Sequence, residues 1–286
     1  MKIFITGAAG QLGRALEKEA VGRGWEVVAL PRGRLSITDP EAVWQQLSRH
    51  RPEVVVNAAA ATRVDALEGD LDLAIRVNAL GPRNLAVACR ALGSKLVQIS
   101  TDYVFDGTKA GPYLEWDAPN PLSVYGLSKL LGEEYVRQQC PDHFIVRTAW
   151  LYGTGAPNFV TAILGRARQI QPQEEMLVVH DQRGNPTSTL ALAPQLLALS
   201  ETRAFGTYHA TCQGEGTWYD FARLILEEAG VPARLTPCDT AAYPRPAPRP
   251  RNSVLDNRLL KIMGLDLMPD WQEAFRQFWR EYGDQL

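Results

Sequence analysis

Cysteine and histidine are scarce in this chain, and it has no long apolar runs. The 286 residues contain four cysteines and four histidines, all far apart in the sequence. Such spacing builds neither a zinc site nor a disulfide framework, so we expect reduced thiols and no protein metal centre. No segment approaches the roughly eighteen apolar residues of a membrane span, and the first apolar run is far shorter than a signal-peptide core. We therefore expect a cytoplasmic protein that does not enter a membrane.

An excess of basic charge is also missing. The net charge is −2, from 30 basic and 32 acidic side chains, whereas proteins that bind DNA or RNA usually carry a basic excess. We therefore expect no nucleic-acid partner. The 45% apolar and 22% charged residues are typical of a globular protein, which excludes the disordered and fibrous classes. The length favours a sheet-based domain with a smaller partner lobe.

Short apolar runs alternate with segments of helical periodicity in the first hundred residues. Strands are predicted at 2–6, 26–30, 53–57 and 95–100, and helices at 11–23, 40–49 and 71–92. This alternation predicts right-handed crossovers, and hence an α/β fold of Rossmann type: a doubly wound parallel sheet with helices on both faces. Asp39 before Pro40 predicts the start of the second helix, and Gly24 predicts the end of the first.

The alternation loosens after Trp150 into segments rich in proline and glycine. We interpret residues 1–150 as an NAD(P)-binding Rossmann domain. Residues 151–286 are interpreted mainly as a substrate-binding lobe, interleaved with the last strands and helices of that domain. The proline tract 242–248 suits either a flexible linker or an ordered loop. Because structured sequence follows it through Trp271 and Trp279, we favour the ordered loop.

A glycine-rich turn follows the first predicted strand and opens the first predicted helix. In this position, backbone N–H groups and the helix dipole can hold a pyrophosphate. A lone glycine pattern is equally typical of a plain tight turn, but the strand-turn-helix context favours a dinucleotide. The expected cofactor-binding residues in this turn are Gly7, Gly10, Gln11, Leu12 and Gly13.

Arg32 follows the second predicted strand, where NAD-preferring folds often place an acidic residue on the adenosine ribose. A guanidinium there can pair bidentately with a 2′-phosphate, which predicts NADPH as the cofactor and leaves NADH open. The alternative is a solvated arginine in a surface loop. After the third strand, the small residues 58–62 suit either a close approach by the cofactor or core packing.

Tyr125 and Lys129 are spaced four apart at the start of a predicted helix, so they lie on one face. A nearby ammonium lowers the pKa of a phenol, so we expect Lys129 to lower that of Tyr125 and to ease proton exchange with a substrate oxygen. A Tyr-x-x-x-Lys pair is common by chance and usually lies on a surface. Its position after a nucleotide-binding pattern and the strand end Ser100-Thr101 makes it specific.

These motifs resemble the extended short-chain dehydrogenase/reductase family and, within it, the dTDP-4-dehydrorhamnose reductase group. The resemblance runs nearly end to end. It rests on residues 6–13, 64–65, 100–107, 125–129, 147–153, 181–187, 217–220 and 249–256. The later stretches narrow the resemblance from the superfamily to the group.

The resemblance implies NAD(P)H-dependent reduction of the C4 keto group of dTDP-4-dehydro-6-deoxy-L-mannose to give dTDP-L-rhamnose. It implies that Tyr125 protonates the sugar oxygen, that Lys129 holds the nicotinamide ribose, and that Thr101 hydrogen-bonds the same oxygen. It also implies a sugar-nucleotide pocket lined by Asp102, Trp150 and Arg249. Further cofactor contacts are implied for Ser36, Ile37, Ala60, Ala61 and Thr62.

Three positions depart from the family pattern. Ser36 stands where members often have an aspartate, and Ala61 stands where an aromatic residue or histidine is frequent. Some members bind magnesium at a dimer interface through a carboxylate in the first helix. The matching position here is Ala15, which leaves magnesium in doubt and a homodimer as one possibility.

Two alternatives stay open at this point. The same tyrosine and lysine serve many substrates, so a reductase or epimerase of another nucleotide sugar fits the motifs. A dinucleotide-binding regulatory subunit, resembling the β subunit of methionine adenosyltransferase, is the second alternative. The presence of Thr101, Tyr125 and Lys129 together favours catalysis.

Overall fold

A computed structural model describes residues 1–171 and 174–286. Within them the strands are β1 Lys2–Thr6, β2 Glu26–Leu30, β3 Val54–Asn57, β4 Lys95–Thr101, β5 His143–Thr148, β6 Leu151–Tyr152, β7 Glu175–Val179, β8 Arg183–Gly184, β9 Thr187–Ser188, β10 Gly206–His209, β11 Gly216–Thr217 and β12 Arg234–Cys238. The α-helices are α1 Gln11–Gly22, α2 Pro40–His50, α3 Val64–Leu67, α4 Leu71–Ile75, α5 Gly81–Leu92, α6 Val124–Gln139, α7 Phe159–Gln169, α8 Thr189–Glu201, α9 Trp218–Ala229, α10 Arg258–Ile262 and α11 Trp271–Tyr282.

Six parallel strands form the central sheet in the order β2-β1-β3-β4-β5-β10. The strand β3 is buried along its whole length, as expected for a parallel strand covered on both faces. Helices α1 and α8 pack against one face through Leu12, Leu16 and Leu196. Helices α2, α5 and α6 cover the other face. The predicted Rossmann-type sheet with helices on both faces is confirmed.

The chain direction across the sheet reverses between β1 and β3. At such a switch point the loops leave the sheet in opposite directions and open a crevice at the carboxyl ends of the strands. The glycine turn after β1 and the alanine-rich loop after β3 both lie there. The predicted boundary signals are also confirmed. Asp39 caps α2 by accepting hydrogen bonds from Glu41 and Ala42, and Gly24, at φ +74°, follows the end of α1.

The prediction of a single helix over 71–92 is wrong in the middle of that range. It divides into α4 and α5, which are joined by a π-helical turn at Arg76–Leu80. Pro82 explains the irregularity, because it has no N–H to donate to the carbonyl four residues earlier, which belongs to Asn78. Turns of this kind often occur at functional sites, and Asn78 lies in this one.

The part of the chain after Trp150 forms three small two-stranded pairs, β6 with β9, β7 with β12 and β8 with β11. An aromatic cluster of Tyr152, Phe221, Phe275 and Phe278 joins β6 to helices α9 and α11. The strand β10 instead extends the central sheet, so the two parts are interleaved. The ordered loop predicted for the proline tract is confirmed, because Ala247 is 2% exposed and its N–H donates to Asp65.

Helix α6 is attached to the sheet by a fully buried ion pair. Arg147 on β5 donates two hydrogen bonds to the carboxylate of Glu133, at 2.9 and 2.8 Å. Ser100 on β4 donates a third, at 2.6 Å. Burial alone would raise the pKa of Glu133, but Arg147 and Ser100 outweigh burial and lower it. The carboxylate therefore stabilises the fold above its usual pKa, and this contribution is lost as the pH falls.

Replacing Glu133 with glutamine leaves the Arg147 guanidinium buried without a countercharge. We expect the free energy of unfolding to fall by about 3–5 kcal/mol, measured by urea denaturation at pH 7. The control is Glu228→Gln, which removes an exposed ion pair with Arg276 at 3.0 Å and costs no more than about 1 kcal/mol. If the free energy of unfolding falls by a similar amount in both variants, the buried ion pair stabilises the fold no more than the exposed one.

Candidate active site

The glycine turn approaches the end of β3 too closely for any side chain at Gly7. This residue has a φ of +67°, and a Cβ there would lie 2.7 Å from the nitrogen of Ala59. Gly13 packs on the same turn, since its Cβ would lie 2.4 Å from the Gly7 carbonyl oxygen. Helix α1 starts after Gly10 with no side-chain cap and no acidic residue in its first turn. Its free N–H groups and positive dipole end therefore suit an anion.

A cavity of about 660 Å³ opens beside this turn. The predicted cofactor residues that line it are Gly7, Gly10, Arg32, Ser36, Ile37, Ala60, Ala61 and Thr62. The others lie elsewhere. Leu12 is in the core, the side chain of Gln11 accepts a hydrogen bond from Asn158 at 3.0 Å, and Gly13 packs as described above. Tyr125 and Lys129 lie on α6.

Two arginines that the sequence argument did not single out also line the cavity, Arg63 and Arg76. With Arg32 they give its wall three guanidinium groups, which suits a ligand with several negative charges. Arg63 directly follows the predicted loop 58–62, so its position in the sequence could have indicated that it lines the cofactor cavity. Arg76 comes from the π-helical turn, which apolar periodicity does not reveal.

Asn78 is a further residue that the sequence argument missed. Its side chain accepts from the N–H of Ala61 at 2.8 Å and donates to the Ala61 carbonyl at 3.0 Å. It also donates to the Ser128 hydroxyl at 3.1 Å. The amide thus clamps the cavity wall to helix α6, one residue before Lys129.

The first turn of α6 is pressed against the residues that follow β4. A Cβ on Gly126 would lie 2.1 Å from the carbonyl oxygen of Tyr103. Ser123 caps the helix, and the N–H of Val124 donates to Glu68 at 2.9 Å. The ring of Tyr125 consequently meets the ring of Tyr103 edge-on, with their centroids 5.7 Å apart.

Burial raises the pKa of Tyr125 to about 12, and the negative charge of Asp102 adds to this effect, whereas a hydrogen bond with Thr101 opposes it. The prediction that Lys129 lowers this pKa is therefore wrong. A side chain four residues along the helix shares its face but need not touch the phenol oxygen. A phenol with so high a pKa stays protonated at neutral pH, which is the form that donates a proton.

The ammonium of Lys129 points into the sheet edge and donates to the carbonyl of Ile99 at 2.6 Å. Burial lowers the pKa of Lys129 to about 8, although Glu133 opposes the shift. A polar ladder supports the same carbonyl. Asn57 donates to Gln98 at 2.7 Å, and Gln98 donates to the Ile99 oxygen at 2.8 Å.

Thr101 is the last residue of β4, and Asp102 begins the short 3₁₀ turn that follows it. The Thr101 hydroxyl donates to Asp102 Oδ1 at 3.0 Å and accepts from the N–H of Tyr103 at 3.2 Å. Asp102 is only 2% exposed. Burial raises the pKa of Asp102 to about 6, which Ser253 and Thr101 partly offset.

Arg249 lies in the second part of the chain, and Trp150 is the last residue of the first part. Arg249 donates to Asp65 at 2.8 Å and lies close enough to Tyr103 to affect its pKa. Trp150 has a φ of +46°, which is strained for a bulky residue. Its indole stacks on that of Trp218 at 3.5 Å. The structure thus brings Thr101, Asp102, Tyr125 and Arg249 together around Tyr103, while Trp150 is held in an aromatic stack.

Within residues 1–171 and 174–286, no group of three or more His, Cys, Asp or Glu side chains could hold a metal ion. In the same part of the chain, every helix is too short or too polar to cross a membrane. All four cysteines are free thiols.

A profile of the RmlD substrate binding domain family matches residues 1–283. The chain belongs to this family. It is 46% identical to the dTDP-4-dehydrorhamnose reductase of Streptomyces griseus, over 96% of this chain and 91% of that one. It is 42% identical to the dTDP-4-keto-6-deoxy-D-glucose reductase of Streptomyces niveus, over 96% and 95%. The resemblance to dTDP-4-dehydrorhamnose reductases that the motifs indicated is confirmed.

The fold of this RmlD family member also matches a solved structure. The crystal structure of the dTDP-4-dehydrorhamnose reductase of Bacillus anthracis in complex with NADP aligns with a TM-score of 0.94. Sequence identity is 38%, and the alignment covers 98% of this chain and 99% of that one. This chain therefore shares its architecture with a reductase whose crystal structure contains NADP.

Asn78→Ala would leave the N–H and carbonyl of Ala61 without partners. We expect the free energy of unfolding to fall by about 1–3 kcal/mol, measured by urea denaturation. Asn84→Ala is a matched control, since Asn84 on α5 makes one hydrogen bond, to the carbonyl of Ile37 at 3.0 Å. If the free energy of unfolding falls no further than in Asn84→Ala, Asn78 does not hold the cavity wall against α6.

Proposed function

We propose that this chain reduces the C4 keto group of dTDP-4-dehydro-6-deoxy-L-mannose with NADPH and releases dTDP-L-rhamnose. One observation carries the proposal. Tyr125, on helix α6, lies beside Thr101, and Asn78 joins that helix to the wall of a cavity with a glycine cradle and three arginines. Two comparisons support the proposal. The relative with 46% identity is named for this activity, and the structural neighbour with 38% identity was crystallised with NADP.

The cavity residues fit a dinucleotide. The free N–H groups of α1 and the close approach at Gly7 suit the pyrophosphate, and Arg32 suits the 2′-phosphate. Ser36 and Ile37 would contact the adenine end, and the wall of Ala60, Ala61 and Thr62 would support the rest of the cofactor. Lys129 would hold the nicotinamide ribose.

When bound, the reduced nicotinamide supplies the hydride that carbon C4 accepts. Tyr125 then donates its phenolic proton to the oxygen on C4, and Thr101 hydrogen-bonds the same oxygen. A positioned acid of this kind is typically worth about 10²- to 10⁴-fold in rate. Asp102, Trp150 and Arg249 would complete the sugar-nucleotide pocket.

The remaining expectations belong to the same proposal. Residues 1–150 would bind the cofactor, and residues 151–286 would supply most of the substrate contacts. The cytoplasmic location and the homodimer stay predictions. The same holds for the expectation that nucleic acid is no partner.

Reduction of a differently configured sugar is the second candidate, because the 42% identical relative is named for the D-gluco substrate. Coupled turnover separates the two. The chain is supplied with NADPH and dTDP-4-keto-6-deoxyglucose, with and without a 3,5-epimerase, and the sugar product is identified. Turnover only with the epimerase supports the proposal. Turnover without the epimerase supports the D-gluco alternative, and cofactor binding with no turnover supports a regulatory subunit.

Tyr125→Phe should remove most of the turnover while the protein still binds NADPH, because the ring remains and only the proton donor is lost. The expected fall in kcat is on the order of 10²- to 10⁴-fold. Steady-state kinetics give kcat, and fluorescence titration gives the NADPH affinity. A variant that keeps more than half the wild-type rate would refute the assigned role.

Arg32→Ala should lower the preference for NADPH over NADH about tenfold or more, because it removes a charge-assisted hydrogen bond to the 2′-phosphate. Arg34→Ala is the matched control, since Arg34 is near in sequence but does not line the cavity. Both cofactors are compared by kcat/KM at one salt concentration, because phosphate contacts are screened. If Arg34→Ala shifts the ratio as much as Arg32→Ala, the assignment fails.

A further inference from the structure

We propose that Asp102 is a positioning residue that sets the direction in which the Thr101 hydroxyl donates its hydrogen bond. Protonated Asp102 would donate to Thr101 and so release the Thr101 hydrogen for the sugar oxygen. Ionised Asp102 would hold that hydrogen on its own carboxylate. The inference rests on the proposed function, because it concerns the second group that contacts the oxygen on C4.

The Thr101 hydroxyl has one hydrogen to donate. In the structure it donates to Asp102 Oδ1 at 3.0 Å, and its oxygen accepts from the Tyr103 N–H at 3.2 Å. A hydroxyl bound in this way can only accept further hydrogen bonds. It therefore cannot donate to a substrate oxygen while Asp102 accepts its hydrogen. Donation to the sugar requires that the hydrogen bond between Thr101 and Asp102 reverse its direction.

The surroundings of Asp102 favour the neutral acid that would make this reversal. Its side chain is 2% exposed, and Oδ2 is buried without a well-formed hydrogen bond among the described residues, because the nearby Ser253 hydroxyl donates to the Arg183 carbonyl at 3.3 Å. A buried carboxylate oxygen without a donor is costly, whereas the neutral acid is less so. The pKa of Asp102, raised by burial to about 6, agrees with this geometry.

Charged and titratable groups approach Asp102 from several elements. Tyr103 follows it on the chain, Tyr125 faces it from α6, and Ser253 faces it from the segment after the proline tract. Arg249 reaches Tyr103 from the other side, but Asp65 already neutralises it at 2.8 Å. The charge of Arg249 is therefore paired.

The test is the pH dependence of kcat and kcat/KM for the keto sugar between pH 5 and 8, in the full chain at saturating cofactor. In wild type, both should fall about three- to tenfold as the pH rises through 6, which is the worth of one neutral hydrogen bond. The series is repeated with NADH, because a 2′-phosphate titrates near pH 6 itself.

Asp102→Asn should abolish the step near pH 6, because the amide nitrogen donates to Thr101 at every pH. Thr101→Val should abolish the same step by removing the relay, with a lower rate at pH 5. Glu228→Gln, which lies on an exposed ion pair, should keep the wild-type profile. A step near pH 6 that survives in Asp102→Asn or in Thr101→Val overturns the inference.

A second readout does not depend on turnover. Infrared difference spectra of wild type against Asp102→Asn should show a protonated carboxyl band at pH 5 that is lost by pH 7.5. If the wild type reduces no nucleotide sugar, the proposed function fails, while the band still reports on Asp102. If turnover is normal and the band is absent at pH 5, only the inference about Asp102 fails.

Discussion

The buried ion pair between Glu133 and Arg147 determines where helix α6 lies against the sheet. Tyr125, Lys129 and Glu133 are spaced by four along α6, so all three face the sheet edge. Glu133 is fixed by donors from both β4 and β5, which locks the rotation of the helix about its axis. Lys129 then reaches the Ile99 carbonyl one turn earlier, and Tyr125 reaches the strand end one turn before that. The position of the phenol depends on an ion pair two turns away.

A short helix joins the parts of the site that come from distant stretches of the chain. Within α3, Asp65 binds Arg249 and the N–H of Ala247, which draws the proline tract back to the first part of the chain. Glu68, just after α3, accepts from Val124 at the start of α6. Because α3 directly follows the cavity wall, one segment contacts the cavity, helix α6 and the C-terminal loop. The site is therefore shared between the two parts of the chain.

Local signals in the sequence predicted the parts of the fold that local physics controls. The strands, the Asp39 cap and the glycine turn follow from periodicity, side-chain hydrogen bonding and close backbone approach. The π-helical turn with Asn78 depends on a missing donor at Pro82 and on packing against α6, so apolar spacing could not show it. The direction of the pKa shift of Tyr125 was also predicted wrongly, because spacing along a helix says nothing about how deeply the phenol is buried. Motif resemblance located Thr101, Tyr125 and Arg249, but their contacts needed the fold.

The electrostatics of the site favour proton donation over proton abstraction. Burial keeps the phenol of Tyr125 protonated, and burial also lowers the pKa of Lys129 to about 8. A ligand that brings phosphate charges into the neighbouring cavity would favour the ammonium form of Lys129, because opposite charges stabilise each other at low dielectric. The site thus holds Tyr125 in its protonated form, which is the form that can donate a proton to a substrate oxygen.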